Sequence, residues 1–193
     1  STLMGFGRPF VRRVETALSL GGGEAVLDVG SGTGSLLAAL AAHHRDTRLV
    51  GVDADERMLS RAAAKLGGMR SVHLCRAYAQ ALPFRAASFD VVVSTLIFHH
   101  LPTGLKLAAI GEIRRALKPG GRFLLADFGR PQTLTQRLLL GAGSLFDGRE
   151  NTRANLAGKL PALLAQAGFR VAEAAPPYRA VQFLMAVKDH GTK

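Results

Sequence analysis

Asp28, Gly30, Gly32 and Gly34 alternate through Val26-Leu27-Asp28-Val29-Gly30-Ser31-Gly32-Thr33-Gly34. A short apolar run starting at Ala25 leads into them, and a helical apolar pattern from Ser35 to Ala42 follows. Glycines where a strand turns into a helix allow a tight bend and let a ligand lie against bare backbone. The helix start at Ser35 offers unpaired N–H groups to a polar or anionic group. Doubly wound α/β domains hold nucleotide-like ligands at such a turn. The spacing is not the dinucleotide pattern, whose third glycine falls one position later, where this chain has Ser35. Further on, Val50-Gly51-Val52-Asp53 reads as a second strand ending in an acid. A carboxylate there can accept hydrogen bonds from two adjacent ribose hydroxyls. The competing role for Asp53 is a helix cap, for which Asp55 is better placed.

A second group of candidates follows the fourth and fifth predicted strands: His99, His100 and Asp127. Histidine exchanges protons near neutral pH and can serve as a general base. The structural alternative is that one histidine packs behind its loop while the other caps the next helix. Asp127 ends a strand at the ligand edge of the sheet, which favours function, or else it orients a backbone turn. The single cysteine, Cys75, excludes an internal disulfide and gives no metal cluster. Gly141-Ala142-Gly143 lacks the Lys-Ser/Thr of a phosphate loop.

The elements that must position these groups alternate. Periodicity predicts an amphipathic helix over Arg8–Leu20, with Phe10, Val14, Ala17 and Leu18 on one face and Gly21-Gly22-Gly23 as its stop. Strands are predicted at Ala25–Val29, Arg48–Val52, Val72–Arg76, Phe89–Thr95 and Arg122–Asp127. Helices are predicted from Ser35 to His44, from Asp55 to Leu66 and from Pro102 to Leu117, the last stopped by Pro119-Gly120-Gly121. This order implies a parallel sheet with right-handed crossovers. A helix over Leu156–Ala167 ends at Gly168, and Val171–Ala174 and Val181–Val187 read as a terminal hairpin joined through Pro176-Pro177. The 193 residues, 48% hydrophobic, are expected to form one domain with a real core.

The net charge of +11 points to an acidic partner. Arginines outnumber lysines 19 to 6, however, and no basic run exceeds a pair. Aromatic residues are not interleaved with them, so solvated charge is favoured over a nucleic-acid footprint. No apolar run reaches the length of a membrane span, and Arg8, Arg12 and Arg13 break any signal-peptide core. A reducing, cytoplasmic setting is expected.

Here the chain resembles the class I S-adenosylmethionine-dependent methyltransferases, and within them the group similar to ubiquinone/menaquinone-biosynthesis methyltransferases. The resemblance runs from Ala25 to Lys188. It rests on the Asp28–Gly34 turn, Gly51-Val52-Asp53, Ala81-Leu82-Pro83-Phe84, Ser88-Phe89-Asp90-Val91-Val92, His99-His100-Leu101 and Leu117-Lys118-Pro119-Gly120-Gly121. It implies a Rossmann-like three-layer α/β sandwich whose seven-stranded sheet runs 3-2-1-4-5-7-6, with the last strand antiparallel. It also implies S-adenosylmethionine as cofactor. Gly30, Ser31, Gly32 and Gly34 would hold the methionine end, with Asp28 below the amino group. Asp53 and Ala54 would take the ribose, Met58 and Ala79 the adenine, and Thr95 the edge after strand four. The family usually has an acid where this chain has Tyr78, and a phenol accepts more weakly than a carboxylate. Pro176-Pro177-Tyr178 looks like a motif of amino-group methyltransferases but lies in the hairpin rather than after strand four, so a turn is expected.

Substrate choice in this class is set by the N-terminal segment, here 1–20, and by the insert after strand five, here 129–155. That insert mixes Leu138, Leu139, Leu140, Leu145 and Phe146 with Arg130, Arg137, Arg149 and Arg153. The expected acceptor is a small, rather apolar molecule such as a quinone precursor, a lipid or a secondary metabolite. Contact with an anionic membrane surface stays open, and capping by solvated arginines is the plain alternative. Two other functions remain as alternatives: an RNA or protein methyltransferase, and a non-catalytic S-adenosylmethionine-binding protein. If an acid serves the adenine better than a phenol, Tyr78→Asp binds S-adenosylmethionine at least as tightly as the parent. Titration calorimetry checks this, and a clear loss of affinity overturns it.

Overall fold

In the computed structural model, residues 7–138, 140 and 149–190 are described. The expectations about Leu139, Gly141-Ala142-Gly143, Leu145 and Phe146, and about the first six residues, lie outside them. The strands are β1 (Ala25–Val29), β2 (Arg48–Asp53), β3 (Val72–Arg76), β4 (Phe89–Thr95), β5 (Leu117–Phe128), β6 (Phe169–Tyr178) and β7 (Val181–Lys188). The helices are α1 (Gly7–Leu18), α2 (Ser35–His43), α3 (Glu56–Leu66), α4 (Thr103–Ala116), α5 (Arg149–Leu156) and α6 (Leu160–Gln166). The seven strands form one sheet in the order β3-β2-β1-β4-β5-β7-β6. β1 to β5 pair in parallel, and β7 runs antiparallel to both β5 and β6.

Alternation along the strands builds two cores. Val26, Val91, Val93 and Leu124 face α1, α2 and α3, where Phe10, Val14, Leu37, Leu40 and Leu66 meet them. Leu27, Val92, Phe123 and Leu125 face the other way, onto Ile110 and Ile113 of α4 and Leu160 and Leu164 of α6. A sheet covered on both faces needs apolar side chains at successive positions, which is why β4 reads as a continuous β-branched run. The order reverses between β1 and β4, and the crevice at that switch point opens at the carboxyl ends of the strands.

Three boundaries differ from those the sequence predicts. β5 begins at Leu117 and runs through Pro119-Gly120-Gly121. The extra residues are taken up by a register shift against β4, between Phe89 and Val91. Pro176-Pro177 lies inside β6, not in a turn. β6 is an edge strand, where a missing N–H is tolerated, and the hairpin turns at Arg179-Ala180, with Arg179 at φ 56. The predicted Leu156–Ala167 helix begins later, as α6 at Leu160, because Gly158 at φ 69 separates it from α5, most of which falls in the predicted insert.

Phe123 is fully buried, with ring centroids 6.1 Å from Phe98 and 6.4 Å from Phe169. Phe123→Ala is expected to lower unfolding free energy by about 3–5 kcal/mol. Denaturant unfolding checks it, and a loss of less than about 1 kcal/mol contradicts this packing.

Candidate active site

The glycine turn is held from below by β2. The Val52 carbonyl accepts from Gly30 N at 2.8 Å and from Ser31 N at 2.9 Å. Asp53 Oδ2 accepts from Gly32 N at 2.8 Å, and Asp53 Oδ1 from Asp55 N at 2.9 Å. Asp55 in turn caps α3 by accepting from Arg57 N at 2.8 Å, so the helix cap is Asp55 and Asp53 is left to the glycine turn. A side chain at Gly30, which sits at φ 79, would strike Ile97. Gly34, at φ 71, lets α2 approach Ala62 and Leu66 of α3.

A cavity of about 450 Å³ opens over this turn. Asp28, Gly30, Ser31, Gly32, Asp53, Met58, Thr95 and His100 line it, as the sequence leads one to expect. Gly34, Ala54, Tyr78, Ala79, His99 and Asp127 do not. Gly34 works in helix packing, and Ala54 lines a shallow hollow beside Asp55 and Arg76. Tyr78 is 61% exposed, while Ala79 packs against the core. The sequence reading missed Leu96 and Ile97 as lining residues and did not separate the cavity roles of Phe10, Val11 and Val14 from plain core packing. Leu96 sits at φ 55, a strained conformation for a branched side chain, and its N–H donates to the Ala126 carbonyl at 2.9 Å. This kink turns the chain out of β4, and Ile97 comes over Gly30.

Behind the cavity lies a buried polar cluster. Asp127 has no exposure. Its Oδ2 accepts from Phe98 N at 2.7 Å. Its Oδ1 accepts from Phe128 N at 2.7 Å, Asn155 Nδ2 at 3.1 Å and His99 Nδ1 at 2.9 Å. A carboxylate only accepts, so Nδ1 of His99 donates. The His99 ring lies 3.9 Å from that of His100 and 4.7 Å from that of Phe128. The two histidines thus divide: His99 packs behind the loop, and His100 is exposed at the cavity. Lys106 closes the cluster. Its Nζ donates to the Leu101 carbonyl and, at 2.6 Å, to that of Asn151. Burial pushes its ammonium down to about 8, against the pull of Asp127. Nothing in the sequence marks Lys106 or Asn155 as members of this cluster.

Residues 26–121 match the family profile described as a methyltransferase domain. The chain belongs to the methyltransferases. It is 35% identical over 133 residues to a demethylmenaquinone methyltransferase of Clavibacter sepedonicus, covering 68% of this chain and 53% of the relative. It is 38% identical over 114 residues to a ubiquinone/menaquinone biosynthesis C-methyltransferase of Shewanella halifaxensis, covering 57% and 45%. The chain therefore spans about half the length of the curated relatives it matches. The YcgJ protein of Bacillus subtilis shares the fold at a TM-score of 0.76 and 17% identity, over 94% of this chain and 98% of that one. So does phosphoethanolamine N-methyltransferase 2 of Haemonchus contortus, solved with S-adenosylmethionine, at a TM-score of 0.73 and 18% identity over 95% and 53%.

The cavity suits the cofactor of this methyltransferase family. Asp28 is buried, and its Oδ1 has no hydrogen-bond partner; the same holds for Ser31 Oγ. Buried polar atoms without partners are costly, and the ammonium and carboxylate of an amino-acid moiety complement them. Asp53 retains lone pairs for ribose hydroxyls beyond the two it uses.

Burial, with Asp53 adding repulsion, pushes the Asp28 carboxyl up to about 7. Between the ordinary carboxylate range and about 7 the folded chain then holds more protons than the unfolded one. Stability therefore falls as pH rises through that window. Asp28→Asn without ligand is expected to be more stable than the parent at pH 8, by on the order of a few kcal/mol. The gap should close toward pH 4. Denaturant melts at both pH values check this, and an equal gap at both contradicts it.

Proposed function

We propose that this chain transfers a methyl group from S-adenosylmethionine to a small, largely apolar acceptor. The observation that carries the proposal is the makeup of the one cavity over the glycine turn. It joins the partnerless Asp28 carboxylate to an apolar wall of Phe10, Val11, Val14 and Ile97, with His100 at the same opening. The relatives named for menaquinone and ubiquinone biosynthesis support a quinone-like or phenolic acceptor.

When bound, S-adenosylmethionine supplies a methyl group activated on a sulfonium centre. The chain's own contribution is placement, exclusion of water and removal of a proton. Asp28 and Ser31 would receive the amino-acid end, and Asp53 the ribose. Met58 on α3 would cover the base. Phe10 and Val14 keep water from one side of the cavity. His100 is the group placed to take the proton lost by an oxygen or acidic carbon of the acceptor. His99 and Asp127 are positioning residues: their hydrogen bond and the ring contact hold the Phe98–His100 turn in place.

His100→Ala is expected to lower kcat by about 10²–10⁴ with cofactor affinity unchanged. Asp127→Asn should lower kcat less and shift the pH profile, because the donors around Asp127 no longer find a full carboxylate. The functional assay uses methyl-labelled S-adenosylmethionine with separate lipid, polar-metabolite and RNA extracts. Label in an apolar product is expected. Label confined to RNA or protein overturns the acceptor class, and cofactor binding with no label in any extract overturns catalysis.

A further inference from the structure

The net charge of +11 plays no part in the cavity. Its placement does carry information. β5 ends at Phe128 paired with Val181, so Arg130 and the hairpin turn at Arg179 stand at the same end of the sheet as Gly30 and Asp53. α1 reaches that end too, since Phe10 and Val11 line the cavity. Arg13 Nη1 donates to the Pro176 carbonyl at 3.4 Å, and its guanidinium lies 5.2 Å from the centre of the Tyr178 ring. Arg179 stacks on the same ring at 5.7 Å. Gln136 Nε2 donates to the Arg179 carbonyl at 2.9 Å, which ties a helical stretch over 134–138 to the hairpin turn. Three separate segments thus form one rim that carries Arg13, Arg130, Arg137 and Arg179, while Arg8 and Arg12 lie on the other side of α1, beside α2.

Two leucines stand on this rim. Leu134 is 72% exposed and Leu138 67% exposed. Four residues apart on a helical stretch, they share a face. Beside them a hollow of about 460 Å³ is lined by Arg130, Thr133 and Arg137. Among the described residues, no carboxylate pairs with Arg130 or Arg137, whereas Arg76, Arg115, Arg122 and Arg170 elsewhere each have one. The acids at this end are Asp28 and Asp53 in the cavity, Asp127 buried behind it, and Asp55, Glu56 and Glu150 on or next to α3 and α5, where Glu56 is paired with Arg76. Glu15 of α1 is turned to His43 and His44.

We infer that this rim docks on an anionic lipid bilayer, with Leu134 and Leu138 entering the headgroup region and the arginines meeting lipid phosphates. Charge complementarity selects an acidic partner. The leucines select lipid over RNA, because they offer nothing to a phosphodiester backbone, while Tyr178, the ring on this rim, already contacts the guanidinium groups of Arg13 and Arg179. In this pose the mouth of the cavity lies at the bilayer, where an apolar acceptor is concentrated. The inference does not depend on the acceptor's identity, so vesicle binding and methyl transfer can fail separately.

The test is co-sedimentation of the full chain with vesicles of phosphatidylcholine alone or mixed with phosphatidylglycerol, at low and high salt. Binding is expected only to the anionic vesicles, weakening as salt rises. Arg130→Glu with Arg137→Glu should weaken it by about tenfold or more. The matched pair Arg45→Glu with Arg70→Glu, on exposed loops leading into β2 and β3 at the opposite end, should change it by less than about threefold. Leu134→Asp with Leu138→Asp should also weaken it by about tenfold or more. Unchanged thermal melting would show that these exposed substitutions leave the fold intact. No binding to anionic vesicles at low salt overturns the inference, as do equal losses from the two arginine pairs. Leucine variants that bind as the parent does, together with competition by RNA, overturn it in favour of a nucleic-acid surface.

Discussion

Three successive amides, from Gly30 to Gly32, are gripped by the end of β2, two by the Val52 carbonyl and one by the Asp53 carboxylate. The rest of the ligand end depends on this grip. It fixes a turn that has no side chains to pack on, and it ties β1 to β2 just where the cavity floor must be rigid. The same constraint explains why the floor is polar underneath. Asp28 is buried in order to sit below the turn, and its carboxylate, held next to Asp53, is left short of partners. A polar ligand can repay that cost, which a dry interior cannot.

The opposite wall is built by different means. There the chain leaves β4 through a left-handed Leu96 and a short turn over Phe98–His100, and the turn is pinned by the fully buried Asp127. Asn155 and Lys106 extend the pinning to α5, which belongs to the segment after β5. The segment after β5 is therefore wired by hydrogen bonds to the Phe98–His100 turn and the residues that hold it. Buried networks of this kind favour one arrangement because every alternative strands a polar group.

Much of this was legible in the residues. β1 and β4 begin and end where their apolar runs do, because each is a parallel strand buried within the sheet with turn residues at its ends. The Asp28–Gly34 turn and Asp53 announced the cavity, since glycine spacing and a strand-terminal acid have few other joint uses. Two of the misreadings share a cause, Pro and Gly taken as stops, whereas at Gly158 a real break was read through. Pro119-Gly120-Gly121 and Pro176-Pro177 instead lie inside strands, one beside a register shift and one on an edge, where the sheet does not need their N–H groups. Phe10 and Val14 were legible as an apolar face, but a sequence does not say whether such a face meets core or cavity. Asp127 was legible either as a functional group or as one orienting a backbone turn, and its buried contact with Phe98 N is of the second kind. Lys106 and Asn155 left no signal, because a single polar residue on a helix reads as solvent-facing until the partner element is in place.

One consequence of the buried Asp28 concerns proton traffic. A carboxyl that is about half protonated near pH 7 must give up its proton when a cation settles beside it. Loading the cavity with a positively charged amino acid moiety is therefore an acid-releasing reaction. The heat observed on loading will contain the ionisation enthalpy of whatever buffer takes up that proton, and occupancy at fixed ligand concentration will follow the acidity of the surroundings.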